Sequence, residues 1–162
     1  MSDDFNPEAF LNSDIADSND TVEPELPRDE YEGQVDSIQP KVIHPRSGGE
    51  PRLLVEVIWE LDDDKIQAIF DRSIKVRQTL FVDTVGGPTG AIATGKGKNV
   101  QLGRLREALN QNQSGKPWNW QMLIGQRAMV TAAHEDVERK DDTGSPTGET
   151  NRFYRAYQVR GL

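Results

Sequence analysis

The first chemistry that residue spacing offers is phosphate binding. Gly90-Ala-Ile-Ala-Thr-Gly95-Lys96 comes within one residue of a nucleotide-cradling loop, which needs glycines for close backbone approach and a lysine for charge. Gly97 stands where the magnesium-binding hydroxyl belongs, and no alternation of parallel strands and helices surrounds the run. It therefore reads as a flexible loop, with Lys96 and Lys98 as candidate contacts to a phosphate backbone. Other catalytic sets fail sooner. The chain has no cysteine, which removes thiolate nucleophiles, disulfides, zinc fingers and iron–sulfur ligation. His44 and His134 are far apart in sequence, and His134-Glu-Asp136 lacks a metal-ligand spacing. Asp62-Asp-Asp64 reads as a solvated turn between strands in preference to a cation site. These residues predict a protein that is not an enzyme and that needs no metal or cofactor.

The residue types better suit single-stranded nucleic acid, whose binding needs cations along the backbone path and flat rings on which bases stack. Lys75, Arg77 and Phe81 share the polar side of one alternating run, opposite Ile74, Val76, Leu80 and Val82. Arg152, Tyr154 and Arg160 share a parity near the C-terminus and form a second candidate stripe. The opposite parity there, with Phe153, Arg155, Tyr157 and Val159, is less cleanly apolar than a core face, so the inward side stays open. Trp118 and Trp120 share a face in a strand and diverge in a helix; one is read as structural, and Trp118 is kept as a candidate platform. Each of these has a plain alternative. Strand aromatics more often pack than stack bases, and Lys75 and Arg77 can pair across the sheet with Glu56 and Glu60.

The elements that must position these residues are short alternating runs broken by turn residues. The expected strands cover residues 31–43, 52–61, 72–83, 126–134 and 152–160. Pro40 marks an edge or a bulge in the first. The second is the clearest, with Leu53, Val55, Val57, Trp59 and Leu61 on one face and Trp59 assigned to the core. Asn99 is a candidate N-cap for a helix placing Leu102, Leu105, Ala108 and Leu109 on one side. Residues 118–124 add a short helical turn, and 136–151 read as a polar loop. Five strands with a helix between the third and fourth predict a mainly β fold, the five-stranded OB-fold barrel.

Charge divides the chain unevenly. The formal total is −8, but residues 1–30 hold ten acids and one arginine, a net −9, leaving +1 for residues 31–162. The near-neutral remainder is free to carry a local basic face. Residues 1–29 have too few apolar groups to repay ordering and are expected to be a disordered acidic tail ahead of an OB-fold domain at 30–162. Within the tail, Pro7 can open one helical turn beside Phe5, Phe10 and Leu11, which are candidate anchors for a partner. The most apolar stretch, Leu53 to Trp59, is far short of a membrane span. With an acidic start in place of a basic one, a soluble, unexported chain without a membrane partner is expected.

In segment order the chain resembles the phage-encoded single-stranded DNA-binding-protein-like family of small OB-fold proteins. The resemblance rests on the acidic Phe/Asn/Pro-bearing N-terminus, Leu26-Pro-Arg-Asp-Glu-Tyr-Glu-Gly33, and the Gly-Gly loop before an apolar second strand. Leu102-Gly-Arg-Leu-Arg-Glu-Ala-Leu109, Leu123-Ile-Gly-Gln126 and a final aromatic strand complete it. It covers about residues 26–160 as order and spacing; the glycine loop at 85–98 and Trp118-Asn-Trp120 depart from it. The resemblance implies sequence-nonspecific coating of single-stranded DNA during replication or recombination, in the host cytoplasm. Phage or host replication proteins would be partners of the tail. The competing expectation is a phage structural or interaction module whose acidic tail docks another protein.

Overall fold

A computed structural model describes residues 4–162. In chain order the elements are α1 (Pro7–Leu11), β1 (Asp29–Ile43), β2 (Arg52–Leu61), α2 (Asp64–Phe70), β3 (Ile74–Val82), α3 (Val100–Ala108), a 3-10 turn (Trp120–Leu123), β4 (Arg127–Lys140) and β5 (Pro146–Arg160). The strands close a barrel in the order β1-β2-β3-β5-β4, with β4 pairing back onto β1. Every seam is antiparallel except β3–β5, which is parallel and holds a single register pair, Arg77 with Arg155. This is a mainly β protein consistent with the OB-like barrel expected, and α3 lies between the third and fourth strands. No described helix is long and apolar enough to cross a membrane.

Alternation on β2 and β3 explains the barrel's interior. Val55, Val57, Trp59 and Leu61 of β2 and Ile74, Val76, Leu80 and Val82 of β3 are buried, with Leu102 and Leu105 of α3 joining the same core. The bulge at Val35/Ser37 bends β1 so that one strand serves two seams. Its first half, Asp29 to Gln34, pairs with β4, whereas beyond the bulge it pairs with β2 alone. Pro40 falls in that second half, where a missing N–H leaves no ladder bond unmade, as an edge position requires. Gly33 sits at the barrel's pinch: a Cβ there would lie 2.9 Å from the Glu60 carbonyl oxygen and 2.7 Å from Leu61 Cδ2.

Four expectations are corrected. The aspartate run is not a bare turn, since Asp63 caps α2 through Ile66 N–H at 3.0 Å and also accepts Glu32 N–H at 3.0 Å. That cap lets α2 bury Ile66 and Phe70. Residues 136–151 form a hairpin ribbon in place of a loop, tied by Arg139–Glu149 at 3.1 Å and turned at Asp141, whose carboxylate accepts the Thr143 and Ser145 N–H groups. Asn99 does stand at the N-cap of α3, but its side chain makes no capping bond; the residue is left-handed, and its side chain instead clasps both Asp83 backbone groups and the Ala93 carbonyl. The clasp closes the glycine loop, inside which Thr84 pairs with Ile92.

The fourth correction concerns the tail boundary. Residues 4–22 are exposed and contain α1, opened by Pro7 with Asn6 as N-cap. Residues 23–28, in contrast, are a strap on the barrel. Leu26 is 0% exposed and belongs to the core. Its N–H donates to His134 Nδ1 at 3.0 Å, and its carbonyl accepts the His134 N–H at 3.1 Å. Tyr31 and Tyr154 hydroxyls donate to the Pro27 and Pro24 carbonyls at 2.6 and 2.7 Å. Leu26 in the core and these hydrogen bonds to its neighbours together anchor the segment.

Candidate nucleic-acid interface

The outer face of β3 presents Lys75, Arg77 and Phe81, as alternation required. Their surroundings differ. Lys75 pairs with Asp36 at 3.3 Å, and Arg77 shares Glu56 with Lys41 at 3.4 and 3.2 Å. Phe81 is 47% exposed, and the Arg52 guanidinium of β2 lies 4.2 Å from its ring centroid. This contact follows from the β2–β3 register, which pairs Leu53 with Val82 and Leu54 with Phe81 and so brings the start of β2 to the end of β3. A cavity of about 580 Å³ opens beside the pair, walled by Glu50, Pro51, Thr84, Gly86 and Gly87 from the β1–β2 and glycine loops.

Lys96 and Lys98 are exposed on the glycine loop that leaves β3 just past Phe81. Among the described residues they form no ion pair, nor do Arg46 and Arg52. The Gly90–Lys96 run does not wrap a helix N-terminus: its first residues form the Thr84–Ile92 hairpin, and α3 starts only at Val100. At Gly90 a Cβ would fall 1.8 Å from the Val85 carbonyl oxygen, so that glycine serves the hairpin's tight closure.

The second predicted stripe separates. Arg152 keeps only 14% of its side chain exposed, forking onto Asp136 at 2.8 and 3.0 Å and reaching the Glu23 carbonyl at 2.6 Å. That guanidinium, hydrogen-bonded to Asp136, holds the carboxyl below the usual range. Tyr154 packs edge-on against Phe70 at 5.4 Å, and burial pushes its phenol up. Both side chains therefore hold the strap, and neither offers a free surface. Arg160 is exposed and paired with Glu30. Trp118 is half-buried against the core, bonded through Nε1 to Gln111 at 2.9 Å, edge-on to Trp120 at 5.2 Å, and covered by Arg106 at 4.6 Å. It closes the connection between α3 and β4 and is not an open platform. Phe10 and Leu11 are exposed on α1 and Phe5 just ahead of it, with the two rings 5.7 Å apart.

Three residues outside the expected set share the outer surface. Arg155 lies directly beside Arg77 across the β3–β5 seam and faces Glu135. Phe153 is exposed two residues before it, with the Arg155 guanidinium 5.6 Å from its ring. Tyr157 is exposed two residues after it, under Arg28 at 4.5 Å. The mixed polarity of this parity signalled an exposed face, but a slip in register hid it: Thr131 pairs with Gln158 and Ala132 with Ala156, so Tyr157 is an extra residue and parity changes there. Comparison with protein-family models, curated proteins and solved structures finds no match to this chain.

Proposed function

We propose that this chain is an OB-fold protein that binds single-stranded DNA without sequence preference, using the outer face of β3 and the loops at its C-terminal end. The observation that carries the reading is the Arg52–Phe81 pair, an exposed ring backed by a cation without a carboxylate partner, beside a loop bearing Lys96 and Lys98. Stacking on such a ring is sequence-tolerant because every base has a π-face, and the cations meet phosphates. Lys75 and Arg77, already paired with carboxylates, contribute less than the unpaired groups, because phosphate must displace an existing partner. In this reading the protein coats exposed strands during phage replication or recombination in the host cytoplasm. Its exposed α1 anchors then meet phage or host replication proteins.

The α1 aromatics also favour a second reading, an interaction module with little DNA affinity, because Phe5, Phe10 and Leu11 stand in solvent on an acidic segment. Fluorescence anisotropy of labelled oligodeoxythymidylate and of duplex, titrated over a salt series, separates the two. The DNA reading expects single-strand preference and a log K that falls linearly with log salt. No binding at low salt, with and without residues 1–22, leaves only the interaction module.

A further inference from the structure

Gln78 is out of place. It is 8% exposed, the one polar side chain grouped with the buried set among the described residues, and it occupies an inward position of β3 between Val76 and Leu80. Its Oε1 accepts the Trp59 indole N–H at 2.9 Å. An indole nitrogen only donates, so this bond fixes the amide's orientation and turns both Nε2 hydrogens away from Trp59. No described group accepts them. Although the residue is buried, Nε2 itself is not sealed from solvent, so its hydrogens are left for water or a ligand in the adjoining cleft.

What Gln78 borders is a cleft of about 690 Å³ between β3, β5 and α3. It exists because the parallel seam ends at its single pair, Arg77 with Arg155, and past that point the two strand edges stand open. Gln101 and Arg104 enter from α3, and Tyr157 and Gln158 from β5. The amides of Gln101 and Gln158 make no hydrogen bond to described residues, and Arg104 has no carboxylate partner. Tyr157 carries the Arg28 guanidinium 4.5 Å from its ring centroid, as Phe81 carries Arg52. The volume is within the range of small-ligand sites.

We infer that this cleft takes one nucleobase of the bound strand, stacked on Tyr157 and read along its edge by Gln78, Gln101 and Gln158, with Arg104 at the neighbouring phosphate. Side-chain amides offer both a donor and an acceptor, the complement of a base edge, and unpaired bases are recognised by stacking plus edge hydrogen bonds. The inference rests on the strand-binding reading and adds base preference to it. The path is short, since Tyr157 lies two residues beyond the Arg77–Arg155 pair that joins the cleft to the outer face of β3.

The test is ¹⁵N NMR of the full-length chain titrated with dAMP, dCMP, dGMP and dTMP, and with 2-deoxyribose 5-phosphate as a base-free control. Expected are shifts of the Gln78 side-chain amide and of the Trp59 indole N–H one bond away, unequal among the four nucleotides and absent with the sugar phosphate. Tyr157→Ala should weaken that binding on the order of tenfold. Gln158→Ala, at an exposed position, should change the ranking of nucleotides and serves if Tyr157→Ala does not fold. Equal shifts from the sugar phosphate overturn the base site. Shifts confined to Arg52, Phe81 and the glycine loop overturn it while leaving strand binding intact. Silence toward every nucleotide and toward oligodeoxythymidylate removes both readings.

Discussion

Truncating Phe81 to alanine and Arg52 to alanine should weaken DNA binding in two distinguishable ways. Base stacking on an aromatic side chain is worth about 1–3 kcal/mol, so Phe81→Ala should lower affinity about 5- to 150-fold at every salt concentration, leaving the slope of log K against log salt unchanged. Arg52→Ala removes a cation, and for single strands each lost phosphate contact reduces that slope by about 0.7. Between 50 and 200 mM salt this makes the Arg52 variant lose roughly 2.5-fold less affinity than the parent loses. Folding constrains the comparison. With the ring 47% exposed, Phe81→Ala gives up about half of an aromatic's burial, roughly 2–3 kcal/mol at ~25 cal/mol per Å². That corresponds to a melting temperature lower by about 5–10 °C, so anisotropy titrations belong well below the transition. Lys75→Ala, which removes a cation already held by Asp36, is the matched control and should change affinity less than twofold, on the order expected of an exposed paired charge. Unchanged affinity for Phe81→Ala, or a change of slope with no loss at low salt, would refute stacking at this position.

Three further outcomes follow from the strap and the tail. Leu26→Ala should destabilise the fold by about 2–5 kcal/mol, seen as a melting temperature lower by roughly 5–20 °C in calorimetry; an unchanged transition would detach residues 23–28 from the core. Removing residues 1–22, which stops short of the strap, should tighten DNA binding at low salt and leave it unchanged where screening is strong, because the deleted segment is acidic and bears no Lys or Arg; equal affinities at low salt would show that it does not compete. Asp136, held below the ordinary carboxylate value by Arg152, contributes stability that is complete above that ordinary value and is lost as pH falls through the depressed one. Hydrogen exchange at Leu26 should accordingly accelerate below about pH 4, and Asp136→Asn should already show the faster exchange at neutral pH.

Alternation made β2 and β3 legible with their inward faces, and with them Lys75, Arg77 and Phe81, because a period of two is a property of neighbours in sequence. Residues whose roles depend on distant partners were not legible in the same way. Asp63 looks like any turn aspartate until Ile66 and Glu32 supply the N–H groups that it accepts. Arg152 and Tyr154 look like a binding stripe until Glu23 and Pro24 are brought across more than a hundred residues to meet them. Arg52 becomes informative only once the β2–β3 register sets it above Phe81. Tyr157 needed a register slip that no local pattern announces. Trp118 is the reverse case, an aromatic whose composition suggested a surface role and whose neighbours Gln111, Arg106 and Trp120 occupy it.

The strap has a consequence for how the chain is made. Residues 23–30 leave the ribosome before every strand they meet, yet Glu23, Pro24 and Leu26 find their partners at Arg152, Tyr154 and His134, and Glu30 finds Arg160. The first half of β1 likewise keeps one edge open until β4 has been synthesised. Until β4 emerges, the nascent chain carries an open edge at the start of β1 with Leu26 and Tyr31 uncovered, and the barrel cannot close before β5 supplies its seam with β3. Contacts of such sequence separation make folding slow for the chain's size. The acidic residues ahead of the strap therefore precede an open strand edge until β4 is made, and like charge on neighbouring nascent chains opposes edge-to-edge association during that interval.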